Sequence, residues 1–302
     1  YGAAASGGVI VVTTKSGSED ETNVEFKASA GIKKALMGTF RPMNSEELYD
    51  YTETMYSAAL FNLKYPESLL DQDYDWVNNC FKLGMVQDYY ASASGKSGKV
   101  NYFISADHYN EKGTLINTNY KKTSARMNLS IPITDRLNLS MRLNYAKSYD
   151  QGTSSWRTLE YAYYAMPWDV PYKMAQDEDG NWYSTGEYIY MDGRVRSDNY
   201  GGGAWWTQNP SNVLHSESYN YSKGHGDSLT GDLQLVWNVT DWLTLTSTNR
   251  YDSSNSYSEE YFDPRTTEVP DGKGELDNSD GEWNGWGTTN IAKFHKTFGS
   301  HD

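Results

Sequence analysis

The sequence predicts an all-β protein: part of an antiparallel outer-membrane β-barrel of about eight strands, with short helices in an extracellular loop. Three observations favour this fold: long runs of alternating apolar and polar residues, connections that alternate between tight turns and long loops, and an abundance of tyrosine and tryptophan. Successive side chains of a strand point to opposite sides of the sheet, and about 9–11 residues of tilted strand cross a bilayer. We therefore expect one face of the sheet to meet lipid and the other to meet water.

The clearest alternation lies between Ser124 and Lys147, where two such runs are joined by a turn at 134–136. Leucine, methionine, isoleucine and tyrosine occupy one set of alternate positions, and polar residues occupy the other. Four of these polar side chains are predicted to face the lumen: Arg126, Asn128, Arg142 and Asn144. The simplest role for the two arginines there is pairing with acidic lumen side chains.

The composition supports a membrane barrel over other classes. The 302 residues include 26 Lys and Arg against 40 Asp and Glu, a net charge of −14 that disfavours nucleic-acid binding. Only 37% of residues are hydrophobic, yet there are 26 Tyr and 10 Trp, which suits a wet lumen, polar loops and aromatic girdles. No stretch has the apolar length of a membrane helix, so a spanning structure would have to be β. A single cysteine, Cys80, excludes an internal disulfide.

The remaining elements follow in chain order. A short β run at 9–14 and an acidic linker at 18–22 precede a first long strand at 24–32. A helix capped by Asn44 continues with apolar residues at roughly helical spacing as far as Leu60. The later predicted elements are a helix at 75–84, strands at 86–94 and 99–110, the hairpin above, a long segment at 150–222, a second hairpin at 229–245, a polar loop at 252–285 and a final strand at 286–298.

The connections between these strands differ at the two ends of the predicted sheet. Those at 95–98, 133–136 and 240–241 are tight, whereas two of the four on the opposite end exceed thirty residues. Short turns on one side and long loops on the other are typical of outer-membrane barrels. A soluble β-sandwich, the alternative, has no such sidedness.

The first residues, YGAAASGGVIVVTTKSG at 1–17, resemble the last segment of the plug domain in TonB-dependent outer-membrane transporters. The match is closest to the SusC/RagA-type branch. The resemblance covers residues 1–149 well, because several spaced blocks occur in order. These further blocks are Asp75-Trp76, 87–95, 102–105, 109–113, Tyr120 and 126–129.

This resemblance implies a plugged barrel of about 22 strands, in which residues 1–17 end the plug and residues 18–302 form the N-terminal part of the barrel. It implies outer-membrane uptake of a large nutrient, glycan or peptide, with a SusD-like lipoprotein as partner. TonB would supply energy through an N-terminal region that this sequence lacks. Because the chain begins at Tyr1 within a motif, we expect it to be an internal piece of a longer protein.

Aromatic residues in or beside the two long loops are the candidate substrate-binding residues. Flat rings on an outward surface stack on sugars or cover a bound peptide, and the alternative role is packing of the loops or anchoring at the membrane interface. The five favoured residues are Trp182, Tyr188, Tyr190, Trp205 and Trp206, and Trp283 and Trp286 are further candidates.

Other motifs are weaker. The acidic segments Asp177–Asn181 and 277–281 are interpreted as hairpin turns rather than calcium loops. The five histidines are dispersed, without zinc-ligand spacing, and Ser155, Asp169 and His215 lack the context of a catalytic triad. We expect no catalytic residue, metal or cofactor.

Two alternatives remain open at the level of sequence. One is a secreted or surface β-rich carbohydrate-binding protein that uses the loop aromatics as its platform. The other is a glycoside hydrolase, which needs two carboxylates at a defined separation, and no local motif indicates such a pair. Detergent dependence separates the importer from a soluble binding module.

Overall fold

The computed structural model describes residues 21–153, 157–189, 212–266 and 272–296. This part of the chain contains ten strands: β1 (Asn23–Lys33), β2 (Gly84–Ser97), β3 (Val100–Lys112), β4 (Asn119–Thr134), β5 (Leu137–Gly152), β6 (Tyr172–Gln176), β7 (Trp182–Tyr188), β8 (Tyr221–Thr240), β9 (Leu243–Phe262) and β10 (Glu275–Phe294). It also contains a 3₁₀ turn and five short helices: α1 (Ser45–Glu53), α2 (Ala58–Lys64), α3 (Trp76–Asn79), α4 (Thr158–Tyr164) and α5 (Val213–Tyr219).

Eight of these strands form one open antiparallel sheet in the order β1-β2-β3-β4-β5-β8-β9-β10. β1 and β10 are its two edges, so within the described residues the sheet does not close on itself. The remaining strands, β6 and β7, form a separate two-stranded ribbon. The predicted fold class, an open antiparallel sheet of about eight strands with short helices between them, is confirmed.

The connections have the predicted sidedness. Three hairpins turn within two residues at one end of the sheet, at 98–99, 135–136 and 241–242. Gly98 adopts a φ of 60° there, in the left-handed region that glycine enters without steric cost. At the other end the connections are 34–83, 113–118, 153–220 and 263–274, and the first and third of these exceed thirty residues, as expected.

The predicted helices exist but are shorter than the sequence pattern indicated. Asn44 accepts a hydrogen bond from the Glu47 backbone N–H (2.8 Å) and its own N–H donates to the Glu47 carboxylate, which forms a capping box at the start of α1. The segment leading to Leu60 is two helices, because the backbone at Ser57, the residue before α2, is extended (ψ 148°) and interrupts the helical geometry. The helix opened by Asp75 ends at Asn79 instead of near residue 84.

α3 ends early because the next residues pair with a neighbouring loop. The backbone N–H of Ile116 donates to the Cys80 carbonyl (2.9 Å), and that of Lys82 donates to the Thr114 carbonyl (2.7 Å). These backbone groups are therefore bonded to the 113–118 connection, where a longer helix would have used them internally.

The prediction of a polar loop at 252–285 is wrong. β9 continues to Phe262 and β10 begins at Glu275, with each strand twenty residues long. The segment 277–281, interpreted as a hairpin turn, lies inside β10, so that prediction is wrong as well. Here serine, asparagine, tyrosine and acidic residues pair across the ladder without apolar alternation, because polar groups meet water on both faces; the Tyr257 hydroxyl, for example, donates to the Asn278 side chain (3.2 Å).

Most of the buried apolar side chains lie among the loops and not against the sheet. Their main cluster combines residues from two long connections: Trp76, Val77, Cys80, Ala162, Ile189, Val213 and Leu214. We call the described residues of 34–83, 157–189 and 212–220 the loop lobe. The two long connections that form this lobe are also joined through their backbones, since the N–H of Tyr74 donates to the Pro167 carbonyl (2.6 Å).

Candidate functional site: the two faces of the sheet and the loop lobe

One face of the large sheet, here called the apolar face, carries the leucines of both predicted hairpins. In the antiparallel register Met127 pairs with Leu143 and Met141 pairs with Leu233, so these side chains project to one side. Leu143 and Leu233 are 38% and 41% exposed, and no second layer of protein covers them within the described residues. A soluble sandwich would bury these leucines between two sheets.

Aromatic side chains border this apolar face at two levels. Towards the loop end they are Tyr89, Tyr145, Tyr251 and Trp286, and towards the turn end they are Tyr102, Trp237, Trp242 and Phe294. The rings of Trp242 and Phe294 stack with centroids 6.2 Å apart. The apolar stretch between the two levels is about nine residues in each hairpin strand, which is close to the length that a tilted strand needs to cross lipid. An apolar band between two aromatic girdles is the lipid-facing surface of an outer-membrane barrel.

The opposite face, here called the polar face, carries all four residues predicted to line a lumen. Arg126 pairs with Asn144 and Asn128 pairs with Arg142, so the four side chains are neighbours on one side of β4 and β5. The two arginines are exposed, whereas Asn128 is buried.

Charges of both signs continue along the same face into β8 and β9. Arg142 lies opposite Asp232, and Asp232 lies opposite Arg250. The Arg250 guanidinium binds the Asp252 carboxylate through Nε (2.6 Å) and a terminal nitrogen (3.0 Å), and the Thr230 hydroxyl donates to the same carboxylate (2.8 Å). Alternating charges on one side of the sheet suit contact with water or with a polar protein segment.

The loop lobe is held together by side chains that bond backbone groups of distant segments. The indole N–H of Trp76 donates to the carbonyls of Asp169 (2.8 Å) and Met166 (3.1 Å). Asn212 is only 1% exposed; its amide donates to the carbonyls of Pro171 (3.0 Å) and Ile189 (2.9 Å). The Asn212 side-chain oxygen also caps α5 by accepting from its first N–H groups, so one residue joins three parts of the lobe.

A buried carboxylate joins the lobe to the short connection at 113–118. Glu217 is 6% exposed, and its carboxylate accepts from the Asn117 amide (2.9 Å) and the Thr158 hydroxyl (2.7 Å). The Asn117 amide also donates to the Glu217 backbone carbonyl (2.6 Å). A buried charge needs hydrogen-bonding partners of this kind to offset its lost hydration.

A second ionic cluster lies where β9 leaves the sheet. The Asp263 carboxylate accepts from Arg265 through Nε (2.7 Å) and a terminal nitrogen (2.8 Å), and the guanidinium stacks on the Tyr219 ring at 3.7 Å. Hydrogen bonds from Arg265 lower the pKa of Asp263 to about 2. Burial and the nearby Arg265 charge both lower the pKa of His215, so this imidazole is neutral at physiological pH.

The lone thiol, Cys80, is fully buried in the same lobe. Burial, together with the nearby carboxylates of Glu217 and Asp75, raises its pKa to about 12. The thiol therefore remains protonated near neutral pH, and its role in the lobe is packing.

The structure separates the candidate substrate aromatics. Trp182 begins β7 and is 39% exposed, whereas Tyr188 packs beside the lobe core and stacks on Tyr172 with centroids 5.0 Å apart. Burial and a hydrogen bond to Tyr172 raise the pKa of Tyr188 to about 12. The other three favoured residues, Tyr190, Trp205 and Trp206, lie outside the described residues.

The two further tryptophans fall on opposite faces of β10. Trp286 pairs with Tyr251 in the aromatic row of the apolar face, and Trp283 pairs with Ser254 on the polar face. Trp286 therefore occupies a position typical of membrane-interface anchoring, the alternative role that the sequence left open.

The acidic turn behaves as predicted. Asp177 accepts from the backbone N–H groups of Asp179 (3.0 Å) and Asn181 (2.8 Å) and closes the β6–β7 hairpin. In the part of the chain that the structure describes, no group of three or more His, Cys, Asp or Glu side chains could hold a metal ion. Asp169 and His215 are both buried in the lobe, and Ser155 lies outside the described residues.

A cleft of about 210 Å³ opens on the surface of the lobe beside α3. It is lined by polar groups such as Arg41, Asp73 and Asp75 and by the edge of Trp76. The polar groups are engaged with protein: Asp73 accepts from the Ser45 backbone N–H (2.9 Å), and Arg41 binds the Glu47 carboxylate. Hydrogen bonds from the Arg41 guanidinium and the Asn44 backbone N–H lower the pKa of Glu47 to about 2.

Sequence reasoning did not find the polar network of the lobe. Asn117, Glu217 and Asn212 are ordinary loop residues in the sequence, and their partners lie many positions away. The Asp263 carboxylate binds Arg265 close by in the chain, but the Asp263 backbone N–H donates to the distant Asn220 side chain. The only local signals were the cap position of Asn212 and the turn-forming context of Asp263 before a proline. No described helix has the length and apolar character needed to cross a membrane.

An open antiparallel sheet with an apolar band between aromatic rows, a charged reverse face and folded loops at one end is the wall of a barrel of the outer-membrane type. Within this class, the chain is similar in sequence to TonB-dependent receptors. The chain is 25% identical over 157 residues to TonB-dependent receptor P3 of Formosa agariphila, a match that covers 51% of this chain and 15% of that protein. It is 24% identical over 131 residues to TonB-dependent receptor SusC of Bacteroides thetaiotaomicron, covering 43% of this chain and 12% of that protein.

Solved structures show the same fold. The RagAB peptide importer in its closed-closed state matches 99% of this chain and 35% of the importer chain with a TM-score of 0.70 and 18% identity. The open-open state matches 93% of this chain with a TM-score of 0.64. No protein-family model matches the sequence.

The predicted resemblance to SusC/RagA-type TonB-dependent receptors is thus confirmed in sequence and in fold. These relatives are receptors and importers, not enzymes, and the expectation that the chain is not an enzyme is confirmed with it. The chain spans about a third of the importer chain that it matches.

Proposed function

We propose that this chain forms wall strands of an outer-membrane, TonB-dependent importer of a large nutrient, either glycan or peptide. Residues 18–302 would form the N-terminal part of the barrel and residues 1–17 the end of its plug. The observation that carries the proposal is the apolar face, whose leucines are exposed between two aromatic rows. Such a surface is stable against lipid and unstable against water.

The polar face is proposed to line the lumen. Arg126, Asn128, Arg142 and Asn144 share this face, and the charges of Asp232 and Arg250 extend it. If the apolar face meets lipid, these groups necessarily point inward. They would contact water or the plug.

The loop lobe is proposed to lie at the extracellular end, where substrate and a SusD-like lipoprotein partner would meet the barrel. The relatives support this, because one is named SusC and another is the RagAB importer, which contains two named components. The bonds made by Trp76 and Asn212 hold the lobe as one body. A body of this kind presents a fixed surface to a partner.

The aromatic side chains Trp182, Tyr188, Tyr190, Trp205 and Trp206 remain the proposed substrate contacts. Trp182 has the exposure that ring stacking on a ligand needs. Tyr188 would act chiefly by positioning the β6–β7 ribbon, since its ring stacks on Tyr172. The alternative function, a secreted or surface carbohydrate-binding protein, would use the same aromatics but would leave the apolar band in contact with water.

Uptake measurements on the full-length protein in its own cells test this function. We expect the protein in the detergent-extracted outer-membrane fraction, and we expect uptake of labelled oligosaccharide or peptide that stops when TonB is deleted. Recovery in the culture medium or in a detergent-free soluble fraction would favour the carbohydrate-binding alternative. The variant W182A should weaken uptake, whereas W286F, a change on the apolar face, should leave it unchanged.

A further inference from the structure

The charges of the first five strands divide unequally between the two faces of the sheet. The polar face of β1–β5 carries five carboxylates together with several cations; the carboxylates are Glu25, Asp88, Asp107, Glu111 and Asp150. Among the described residues of the same strands, the apolar face carries no carboxylate; the nearest one on this face is Asp227 of β8, the cross-strand partner of Lys147. The charged side chains of the apolar face on β1–β5 are three lysines, Lys112, Lys121 and Lys147. In a chain of net charge −14, three cations and no carboxylate on one face of five neighbouring strands need an explanation.

The three lysines form a row across neighbouring strands. Lys112 pairs with Asn119, so Lys121, two positions further along β4, is its diagonal neighbour. Thr123 pairs with Lys147, so Lys147 is in turn the diagonal neighbour of Lys121. Diagonal neighbours on one face lie about 7–8 Å apart, which long side chains span easily.

The row lies just beyond the loop-end border of the apolar band. Lys147 follows the girdle residue Tyr145 by two positions on β5, and Lys121 precedes Ala125, where the apolar run of β4 begins. The aromatic border slopes across the sheet in the same direction. Tyr251 on β9 lies level with Leu143 on β5, which is two residues closer to the turn end than Tyr145. The lysines therefore follow the border instead of crossing it.

All three lysines are exposed, and none forms an ion pair with a residue that the structure describes. Lysines elsewhere in the sheet do form pairs: Lys33 binds Glu111 (2.6 Å) on the polar face, and Lys223 of β8 binds Glu259 of β9 (2.7 Å) on the apolar face. The Asp227 carboxylate opposite Lys147 accepts from the Asn255 amide (3.3 Å) and forms no ion pair with Lys147, so the row is available to an external anion. At this height the groups adjacent to the wall are lipid head groups.

We propose that Lys112, Lys121 and Lys147 bind the phosphate groups of anionic lipids in the leaflet at the long-loop end of the sheet. This inference rests on the proposed membrane placement of the apolar face and adds a specific lipid chemistry to it. The ammonium groups supply point charges for phosphate. The Tyr145 and Tyr149 rings on the same face supply interfacial contacts for the rest of the head group.

The test compares lipid binding by three forms of the full-length protein in detergent: wild type, the triple variant K112Q/K121Q/K147Q and the control K82Q/K99Q/K122Q. The control removes three charges from exposed lysines that lie outside the apolar face. Native mass spectrometry measures binding of phosphatidylglycerol as the anionic lipid and phosphatidylcholine as the neutral one. Inorganic phosphate is added as a competitor.

We expect wild type and control to prefer phosphatidylglycerol, and we expect the triple variant to bind it roughly a hundredfold more weakly. The single variants K121Q and K147Q should each lose roughly fivefold, which keeps the test decisive if the triple variant does not fold. The preference should fall as salt is raised. Equal binding of the two lipids, equal loss in the control, or full competition by inorganic phosphate would overturn the proposal.

Membrane insertion is scored separately by outer-membrane fractionation of the same three forms. If wild type and triple variant both insert but bind phosphatidylglycerol equally, the proposal that the lysine row binds anionic lipid fails and the proposed function stands. If wild type does not insert, both proposals fail.

Discussion

The side-chain amide of Asn117 donates to both the backbone carbonyl and the carboxylate of Glu217, a residue one hundred positions later in the chain. Asn117 has a φ of 61°, and asparagine tolerates this left-handed region better than most residues. Backbone geometry and side-chain chemistry thus both select asparagine here. The contact fixes the 113–118 connection against α5 and holds a buried carboxylate in the loop lobe.

Replacing Asn117 separates these two contributions. We expect N117G to lower the stability of the lobe by about 1–3 kcal/mol, because the buried Glu217 carboxylate loses a donor. N117A should cost about 1 kcal/mol more, since alanine must also adopt a positive φ. Hydrogen exchange of residues 213–219 in the full-length protein measures both, and equal protection in N117G and wild type would show that the amide contributes nothing.

Asn212 should matter more to the lobe than the cap that the sequence did identify. N212A removes two buried hydrogen bonds to distant carbonyls and the cap of α5. We expect a loss of about 2–4 kcal/mol from these combined effects. N44A removes an exposed capping box and should cost about 1 kcal/mol. Susceptibility of the lobe to limited proteolysis ranks the two variants, and the opposite ranking would refute this account.

Cys80 should be inert to thiol reagents in the folded protein. Its thiol is fully buried and its pKa is raised to about 12, so both access and thiolate formation are suppressed at pH 8. Maleimide labelling should proceed only after denaturation. The variant C80A/S97C, with its new thiol at an exposed position, should label at once. Rapid labelling of native wild type would contradict the described packing of α3.

Acid should loosen the junction between β9 and the lobe. Arg265 holds the folded pKa of Asp263 at about 2, below its ordinary value of 3.8. A lowered folded pKa means that the ionised carboxylate stabilises the fold above pH 4 and that this stabilisation is lost as the pH falls towards 2. Hydrogen exchange at residues 261–266 should rise over that interval.

The variant D263N provides the control for this pH dependence. It should be less protected than wild type at pH 7, and it should lack the loss of protection that Asp263 protonation causes between pH 4 and 2. An identical pH profile in wild type and D263N would show that another group controls the junction.

Adjacent residues of β8 test the orientation of the sheet. Leu233 lies in the apolar band, and its neighbour Gln234 lies on the polar face, where its amide donates to the Thr248 hydroxyl (3.2 Å). An arginine in the middle of the lipid-facing band costs about 2–4 kcal/mol. L233R should therefore reduce the amount of protein assembled in the outer membrane, whereas Q234R should be tolerated. Equal assembly of the two variants would contradict a lipid-facing apolar side.

The fold was predictable wherever the two faces of a strand meet different solvents. The hairpin from Ser124 to Lys147 and the runs around Leu233 and Leu245 have strict alternation, and the structure contains strands at all of them. Between residues 252 and 285 both faces are largely polar. The local pattern there matches a loop, and only the pairing of β9 with β10 shows that the strands continue.

The candidate site was less predictable than the fold. The sequence identified the polar set around Arg126 and Asn144, because a single strand repeat defines it. It did not identify Glu217 or Asn212, since their partners are supplied by segments far away in the chain. Trp286 was a substrate candidate from its loop-like surroundings, but the register with Tyr251 places it in the aromatic border.

The sequence by itself determined that this chain is a two-faced sheet with tight turns at one end, and its first half determined the resemblance to SusC/RagA-type receptors. Those properties are local: alternation, turn residues and short motifs are each carried by neighbouring residues. The tertiary structure alone decided the lengths of β9 and β10, the union of two long loops in one lobe and the alignment of Lys112, Lys121 and Lys147. Each of these depends on strand register or on contacts between distant residues, which no local pattern specifies.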